Sequence, residues 1–539
     1  MASGNERSRV LEAFRAVGVV ALPLKCPVLK RGVENFVTTS VKNGFQVFDC
    51  KSLRLLFVSS PSTPRGIKAL EVHGDLTFAA SGAVVHKFER GKQVGQVGPL
   101  GANISLLLVV GDMLFAHSTD GTVVAIDVKT SDEVLRVDLA RSGVTAKGSR
   151  AAAKLTAWVH PQSYLNKLLL GDEEGSLFIL NVRSGKCVHR FAPLGASVAA
   201  IAQSPAVDVV AVGLMDGRIV VRNIKFDETL FEFTQQDGAV TDLSFRTDNT
   251  SVLASGSSNG GVYIWNLEEE RLIASMPHAH DSHVCTTTFL QGEPILLTSG
   301  ADNAVKMWIF DQDDGSARLL RSRNGHSAPP TRVRYYSQHT LLSAGQDRSF
   351  RIFSTIQDQQ SRELSQGRVE KKAQSLDKKS EELKLNPVID FAACRQREKD
   401  WCNILTCHHD DNRAYTWRYK NAVLGKHVLR PPPLDYEAAH KAAVGEHGPK
   451  VDPFKRGPGR LPGQVVDYVP RVRCKGAPLL HETTYAKVPC PPPPLAPCLH
   501  LQCVVWRPLA ECLTTGRLAA REETRNILLS LERQHSSQS

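Results

Sequence analysis

A histidine, a serine, an aspartate and a tryptophan stand in one short stretch of the chain. They are His280, Ser299, Asp302 and Trp308. Histidine, serine and aspartate can together perform nucleophilic catalysis when the base and the nucleophile are within hydrogen-bond reach. The same residue types also form buried networks, in which the aspartate accepts hydrogen bonds from histidine and from turn amides. The elements that carry these residues decide between the two interpretations.

The pattern recurs farther along the chain. Gly325 and His326 are followed by Ser343 and Asp347, with Phe353 where the tryptophan would be. Two earlier segments carry parts of it, and their candidate residues are Asp216 and Trp265.

A second cluster contains cysteines and histidines, residue types that can bind metal ions. Cys394, Cys402 and Cys407 precede His408 and His409, but the cysteines are not in the closely spaced pairs that zinc sites favour. Cysteine is also often buried as a small apolar residue. We therefore expect no metal in this cluster, and none among the cysteines after residue 470.

Other catalytic motifs are missing from the sequence. It contains no G-x-S-x-G and no H-E-x-x-H. The segment from Gly256 to Gly261 lacks the lysine of a phosphate-binding loop and precedes a strand-like run. The sequence thus predicts no enzymatic activity and no cofactor.

A repeated sequence unit predicts the strands that carry these residues. Each unit has an apolar strand, a turn rich in Asp, Asn or Gly, and a second strand. These turn residues adopt the backbone angles that tight hairpins need. The clearest examples are Leu114–Asp127, Leu168–Asn181, Val210–Asn223, Leu253–Asn266, Leu296–Ile309 and Leu341–Ser354.

The spacing of the units predicts the fold. Second strands end near Asp49, Phe88, Asp127, Asn181, Asn223, Asn266, Ile309, Ser354 and Trp417. Most steps are about 40 residues, which is typical of β-propeller blades with four short strands each. We predict an all-β WD-repeat propeller, a seven-bladed ring with about two extra units. His280, Ser299, Asp302 and Trp308 then follow the order of the buried polar tetrad of such blades, and we expect a structural role for them.

Composition agrees with this fold and limits the alternatives. Aromatic residues are 6% of the chain while it holds 39 glycines, which favours short strands and turns over helical bundles. No apolar run is long enough to span a bilayer. The 12 irregularly spaced cysteines do not resemble a secreted disulfide framework, so we expect an intracellular protein with reduced thiols.

The net charge leaves two interpretations open, an acidic or RNA-rich setting and ordinary solubility charge, and taken alone it favours the second. Lys and Arg number 66 against 55 Asp and Glu, a net charge of +11, which is compatible with an RNA-rich environment. Basic residues cluster from Arg368 to Lys384, where a nuclear-import or RNA-contacting stretch and a solvated linker or short charged helix are both open.

Several motifs resemble one known family. They are YLNKLLLGDEEGSLFILNVRSGK from Tyr164, SPAVDVVAVGLMDGRIVVRNIKFDETLFEF from Ser204, GADNAVKMWIFD from Gly300 and RLLRSRNGHSAP from Arg318. Over residues 10–430 the chain resembles the WD-repeat family of U-three small-nucleolar-RNA-associated protein twenty-one.

The resemblance implies a function and an architecture. Members are scaffold subunits of the UTP-B module of the small-subunit processome, which acts in the nucleolus on ribosomal RNA precursors. They have two tandem seven-bladed propellers and a helical C-terminal domain. The implied partners are the other UTP-B propeller subunits, the U-three snoRNP and pre-ribosomal RNA.

The chain has too few units for two rings. We expect an N-terminal extension at 1–20, a propeller at 21–390, the start of an incomplete second propeller at 391–430 and a Pro/Arg-rich, largely disordered tail at 431–539. Of 29 prolines, 16 lie after residue 430, which favours an extended tail without blades. One or both terminal regions, near residues 20–60 and 391–430, should be loosely held or pair with each other. A propeller that recruits substrates, as in a ubiquitin ligase, is the alternative function.

Overall fold

A computed structural model describes residues 15–145, 151–312, 315–376, 380–431, 464–466 and 487–489. It is built almost entirely of four-stranded antiparallel sheets. The predicted tail at 431–539 lies outside the described residues except for residue 431 and two three-residue strands. No helix in the described part is both long and apolar enough to cross a membrane. By its internal contacts the chain forms two units, Met1–Ser327 and Ala328–Ser539.

The first unit holds seven sheets, each made of four consecutive strands. The first three sheets are β1 to β4 (Val28–Arg31, Glu34–Ser40, Phe45–Asp49, Arg54–Val58), β5 to β8 (Ala69–His73, Leu76–Ser81, Val84–Glu89, Lys92–Val97) and β9 to β12 (Ile104–Val110, Met113–Ser118, Thr122–Asp127, Glu133–Asp138). The fourth and fifth are β13 to β16 (Leu155–Val159, Lys167–Asp172, Leu177–Asn181, Lys186–Arg190) and β17 to β20 (Val198–Gln203, Val209–Leu214, Arg218–Asn223, Glu228–Thr234). The sixth and seventh are β21 to β24 (Val240–Phe245, Val252–Ser257, Val262–Asn266, Arg271–Met276) and β25 to β28 (Val284–Phe289, Ile295–Gly300, Ala304–Ile309, Arg318–Asn324).

The repeated sequence unit is the hairpin of the second and third strands. In the sixth sheet β22 pairs with β23 so that Val252 faces Asn266 and Gly256 faces Val262. The turn between them contains Gly260, whose φ of +95° is a conformation that favours glycine. The two middle strands are almost fully buried, whereas the fourth strand is largely exposed, as β28 shows. Only the middle hairpin therefore carries the strong apolar signal.

Seven apolar clusters close the ring, one between each pair of neighbouring sheets. Phe45 of the first sheet packs with Phe88 of the second. The seventh sheet packs on the first through Leu297 and Met307, which meet Val37 and Phe48. The remaining five clusters join the intervening pairs of sheets. Since every strand of each sheet is local in sequence, the ring closes by side-chain packing without an exchanged strand.

Among its described residues the second unit holds the remaining two of the nine four-stranded sheets. They are β29 to β32 (Pro330–Ser337, Thr340–Gly345, Phe350–Ser354, Arg362–Glu363) and β33 to β36 (Val388–Ala393, Ile404–His408, Ala414–Arg418, Val423–Leu429). They share a core around Phe350, Phe391 and Trp417. The short helices are α1 (Val369–Leu376), α2 (Ser380–Leu383) and two 3₁₀ turns (Asp358–Gln360, Arg395–Arg397), and the last strands are β37 (Gln464–Val466) and β38 (Lys487–Pro489).

The structure confirms the seven-bladed ring with two extra blade-like units. It divides the chain after Ser327, earlier than the boundary expected at residue 390. Both extra sheets follow the ring, and the segment near residues 20–60 belongs to the ring itself. The difference arises because the first sheet packs against the seventh, a long-range contact that leaves no mark on the repeat spacing. Helices α1 and α2 lie in the basic stretch at 368–384, for which a solvated linker or short charged helix was one of the two predicted alternatives.

Candidate functional site

The strongest candidate cluster is a buried network in the seventh sheet. His280 is fully buried, and its Nδ1 lies 3.0 Å from Oδ1 of Asp302. Its Nε2 lies 2.9 Å from the hydroxyl of Thr298, to which the Trp308 indole also donates at 3.0 Å. The backbone N–H of Asp281 donates to the second carboxylate oxygen of Asp302 at 3.1 Å. The four side chains form one continuous chain of hydrogen bonds.

Thr298, which sequence reasoning did not single out, holds the central place in this network. Neighbouring strand residues point to opposite faces of a sheet. Thr298 shares a face with Leu296, which packs against the sixth sheet, whereas Ser299 shares a face with Leu297, which packs against the first. The hydroxyl of Ser299 accordingly accepts a hydrogen bond of 3.5 Å from the Cys26 thiol. The alternation of the strand could have identified Thr298.

The electrostatics of the network fit a sealed structural element. Burial lowers the pKa of His280, and the hydrogen bond and charge of Asp302 oppose this only in part. Burial also disfavours ionised Asp302, but the hydrogen bond from His280 and the nearby charge of Lys306 outweigh it and lower the pKa of the carboxyl. Both ring nitrogens of His280 are engaged, so neither is free to accept a proton from a substrate.

Two other sheets carry related networks. In the sixth sheet the Trp265 indole donates to the hydroxyl of Ser255 at 3.0 Å, and that hydroxyl donates to Gln235 at 3.0 Å. In the ninth sheet the Trp417 indole donates to Thr406 at 2.7 Å, which also contacts Nε2 of His408. In each case the indole lies in the core shared with the preceding sheet.

The remaining candidate residues lie in different settings. Asp216 is at an exposed hairpin turn, where it accepts hydrogen bonds from the backbone and side chain of Arg218 at 3.0 and 2.7 Å. Burial opposes its ionisation, but these bonds lower its pKa. His326 lies in the first unit, and its carbonyl accepts a hydrogen bond from Asn303.

Ser343 and Asp347 are buried in the second unit, so the pattern that includes His326 is divided between the two units. Asp347 accepts hydrogen bonds from the backbone and the hydroxyl of Ser349 at 3.1 and 2.7 Å, within its own turn. The structural role expected for all these blade residues stays a prediction.

The cysteine and histidine cluster is distributed over the ninth sheet. His408 uses Nε2 for Thr406 and Nδ1 for the carbonyl of Asn386. His409 instead pairs with Asp410 at 2.7 Å. Among the described residues no group of three His, Cys, Asp or Glu side chains is arranged to hold a metal ion.

Asn303 forms hydrogen bonds that join the two ends of the ring, and we call this set of bonds the clamp. Sequence reasoning missed it. The side chain of Asn303 accepts hydrogen bonds from the backbone N–H groups of Val20 and Ala21 at 2.7 and 3.2 Å. Its amide nitrogen donates to the carbonyls of Gly18 and His326 at 3.0 and 2.9 Å. Asn303 has a φ of +59°, which asparagine tolerates better than most residues. Its position after Asp302 in a hairpin turn was the only available signal.

Comparisons with known proteins agree with this architecture. Residues 37–311 match the family description "WDR36/Utp21 first beta-propeller", and residues 331–446 match "WDR36/Utp21 second beta-propeller domain". The gap between the two matches contains the division after Ser327.

Three relatives match along most of the chain. The chain is 38% identical over 446 residues to WD repeat-containing protein 36 of Homo sapiens, which covers 81% of this chain and 48% of the relative. It is 39% identical over 428 residues to the U3 small nucleolar RNA-associated protein 21 homolog of Schizosaccharomyces pombe, covering 78% and 47%. It is 31% identical over 441 residues to U3 small nucleolar RNA-associated protein 21 of Saccharomyces cerevisiae, covering 79% and 46%.

The chain spans about half the length of these relatives. Its seven-sheet ring and the two sheets after it correspond to the first family domain and part of the second. The chain therefore belongs to the WDR36/Utp21 family of WD-repeat propeller proteins.

Proposed function

We propose that this chain is a non-catalytic scaffold subunit of the small-subunit processome, within its UTP-B module, and that it acts in the nucleolus in ribosomal RNA processing. The observation that carries the proposal is the family match across both propeller segments. Two relatives are named for association with the U3 small nucleolar RNA. The partners we propose are the other UTP-B propeller subunits, the U3 snoRNP and pre-ribosomal RNA.

The geometry of the polar residues supports a scaffold over an enzyme. His280, Thr298 and Ser299 have no exposed surface, and Asp302 has 5%. A catalytic group must come within hydrogen-bond reach of its substrate. These groups satisfy one another in the interior of the ring, where their role is to position neighbouring sheets.

The test is affinity capture of the tagged full-length chain from nucleolar extract. We expect enrichment of U3 snoRNA, measured by quantitative reverse transcription, and of other WD-repeat processome subunits, measured by mass spectrometry. Recovery of a cullin adaptor without U3 snoRNA would instead support a substrate receptor, and recovery of neither would contradict the scaffold.

A matched pair of variants separates specific capture from adhesion of a basic chain. Asn303→Ala removes the clamp at the seam of the ring, whereas Asn249→Ala changes an exposed asparagine with a similar φ of +67° and no side-chain hydrogen bond in the described structure. We expect Asn303→Ala to lose U3 snoRNA and Asn249→Ala to retain it.

A further inference from the structure

A groove opens between the third and fourth sheets of the ring. It lies on the face of the ring that carries the turns between the first and second strands of each sheet. Its volume is about 330 Å³. That is at the lower end of the range of about 300–1,000 Å³ in which ligand sites fall. Its lining residues are Val110, Met113, Phe115, Ala125, Val134, Leu135, His160, Leu165, Asn166, Lys167, Leu168, Val182 and Arg183.

Buried core residues form the floor of the groove, and exposed apolar side chains form its rim. Phe115, Ala125 and Leu168 belong to the cluster that joins the third and fourth sheets. At the rim Leu165 is 90% exposed and Val134 is 58% exposed. Isolated exposed apolar residues are ordinary, but two beside a concave apolar floor are typical of an interaction site.

Partly buried apolar side chains of the third sheet border the groove. The first strand of the third sheet, β9, keeps Leu106, Leu108 and Val110 only half-buried. Trp158 of the fourth sheet reaches across and donates its indole N–H to the carbonyl of Leu107 at 3.4 Å. The apolar side chains at the end of β9 therefore have room for another group against them.

The polar groups of the groove are basic or neutral. Lys167 and Arg183 form no ion pair within the described residues, and the Lys167 ammonium lies 4.5 Å from the centre of the Tyr164 ring. The Nε2 atom of His160 is buried and has no hydrogen-bond partner. No carboxylate lines the groove.

Two carboxylates adjacent in sequence to lining residues, Asp112 beside Met113 and Glu133 beside Val134, are paired with basic side chains. Asp112 binds Lys129 at 3.0 Å and Glu133 binds Arg136 at 2.7 Å. The groove thus combines an apolar floor with basic groups that lack a partner of opposite charge.

We propose that this groove binds a short acidic peptide segment of a partner protein. One bulky apolar side chain of the peptide packs on Phe115 and Leu168 and is covered by Leu165. Carboxylates beside it meet Lys167 and Arg183. Single-stranded RNA fits less well, because bases stack on exposed aromatic side chains and the phenyl ring of Phe115 lies buried in the floor of the groove.

The probe is a fluorescein-labelled peptide with a central phenylalanine flanked by glutamates and aspartates, titrated with the full chain by fluorescence anisotropy. A peptide with alanine in place of the phenylalanine has the same charge and reports non-specific binding to a chain of net charge +11. We expect the phenylalanine peptide to bind at least about tenfold more tightly, a typical loss when a central anchor is removed.

Two variants locate the site. Leu165→Asp should weaken the phenylalanine peptide about tenfold or more. Val33→Asp is the matched control, because Val33 is 91% exposed and lies in the corresponding turn of the first sheet. Arg183→Glu should weaken binding and reduce its dependence on salt.

Equal binding of the two peptides, or equal loss in the Leu165 and Val33 variants, overturns the proposal. So does self-association of the chain that Leu165→Asp abolishes while no peptide binds, because the occupant would then be a second copy. None of these readouts depends on U3 snoRNA, so the proposal fails independently of the scaffold function.

Discussion

The side-chain oxygen of Asn303 accepts a hydrogen bond from the backbone N–H of Val20 at 2.7 Å, although 283 residues separate them in the chain. Around this bond the segment before β1 enters the seam between the first and seventh sheets. Val20, Ala21 and Cys26 are buried there with Leu290 and Leu297. The bond therefore joins the two ends of the ring.

The first prediction concerns this clamp. Asn303→Ala should lower the free energy of unfolding of the ring by about 2–4 kcal/mol, because several buried backbone groups lose a partner and alanine is disfavoured at positive φ. Asn249→Ala, with a similar φ but an exposed side chain, should cost about 1 kcal/mol. Urea denaturation measures both, and hydrogen exchange at Val20 and Ala21 should accelerate only in the first variant. Equal losses would show that the clamp contributes nothing beyond its backbone conformation.

The second prediction compares two cross-strand partners in the seventh sheet. Thr298→Val should destabilise the chain by about 2–4 kcal/mol, because buried groups of His280 and Trp308 lose their shared hydroxyl. Thr287 lies opposite Thr298 in the ladder, and its hydroxyl is buried without a partner. Thr287→Val should therefore be neutral or stabilising. Thermal unfolding followed by circular dichroism distinguishes the two, and similar melting temperatures for both variants would contradict the structural role of the network.

The third prediction is a pH dependence from His117. Burial lowers the pKa of this imidazole to about 4, and the charge of Asp120 opposes the shift only in part. An unfolded chain binds this proton near pH 6.5. Between pH 6.5 and pH 4 the unfolded state thus holds a proton that the folded state lacks, so stability falls as the pH falls.

The slope from His117 reaches up to about 1.4 kcal/mol per pH unit in that window. Denaturant unfolding at several pH values should show a weaker slope in His117→Gln than in the unmodified chain. His283→Gln is the control, because that side chain is exposed. An unchanged slope in the His117 variant would mean that other groups dominate the acid response.

The fourth prediction concerns the independence of the two units. Phe45→Ala should lower the stability of the ring by about 3–5 kcal/mol, because Phe45 fills the core between the first two sheets. Phe350→Ala removes a ring of the same size from the core of the eighth and ninth sheets. It should accelerate hydrogen exchange at 330–429 and leave exchange in the seven-sheet ring unchanged. Faster exchange throughout the ring would show that the two units unfold together.

The hairpins of the fold could be predicted from the sequence. The third strands of the first and third to eighth sheets end at the predicted positions, among them Asp127, Asn223 and Asn266. Nearly continuous apolar runs and turn residues coincide in these hairpins, since the two strands are buried on both faces. The assignment of sheets to rings was harder, because the units look alike and only contacts between distant segments, such as those of Leu297 and Asn303 with the segment around Val20, show where the ring closes.

The polar network was predictable in part. His280, Asp302 and Trp308 are joined through the hydroxyl of Thr298, whereas the sequence analysis named its neighbour Ser299. Both hydroxyls suit such a network, and only the face of the strand separates them. Asn303 and the groove beside Leu165 depend on contacts between distant segments, which residue types and spacing do not encode.

The closure of the ring between its first and seventh sheets sets an order for its synthesis. Val20 leaves the ribosome long before Asn303, and at about 5–20 residues per second the delay is roughly 15–60 s. During that time the apolar segment around Val20, Ala21 and Cys26 has no seventh sheet to cover it. The newly made first sheet therefore keeps this apolar surface uncovered until the last sheet of the ring emerges, and the ring becomes complete only after its final hairpin has been translated.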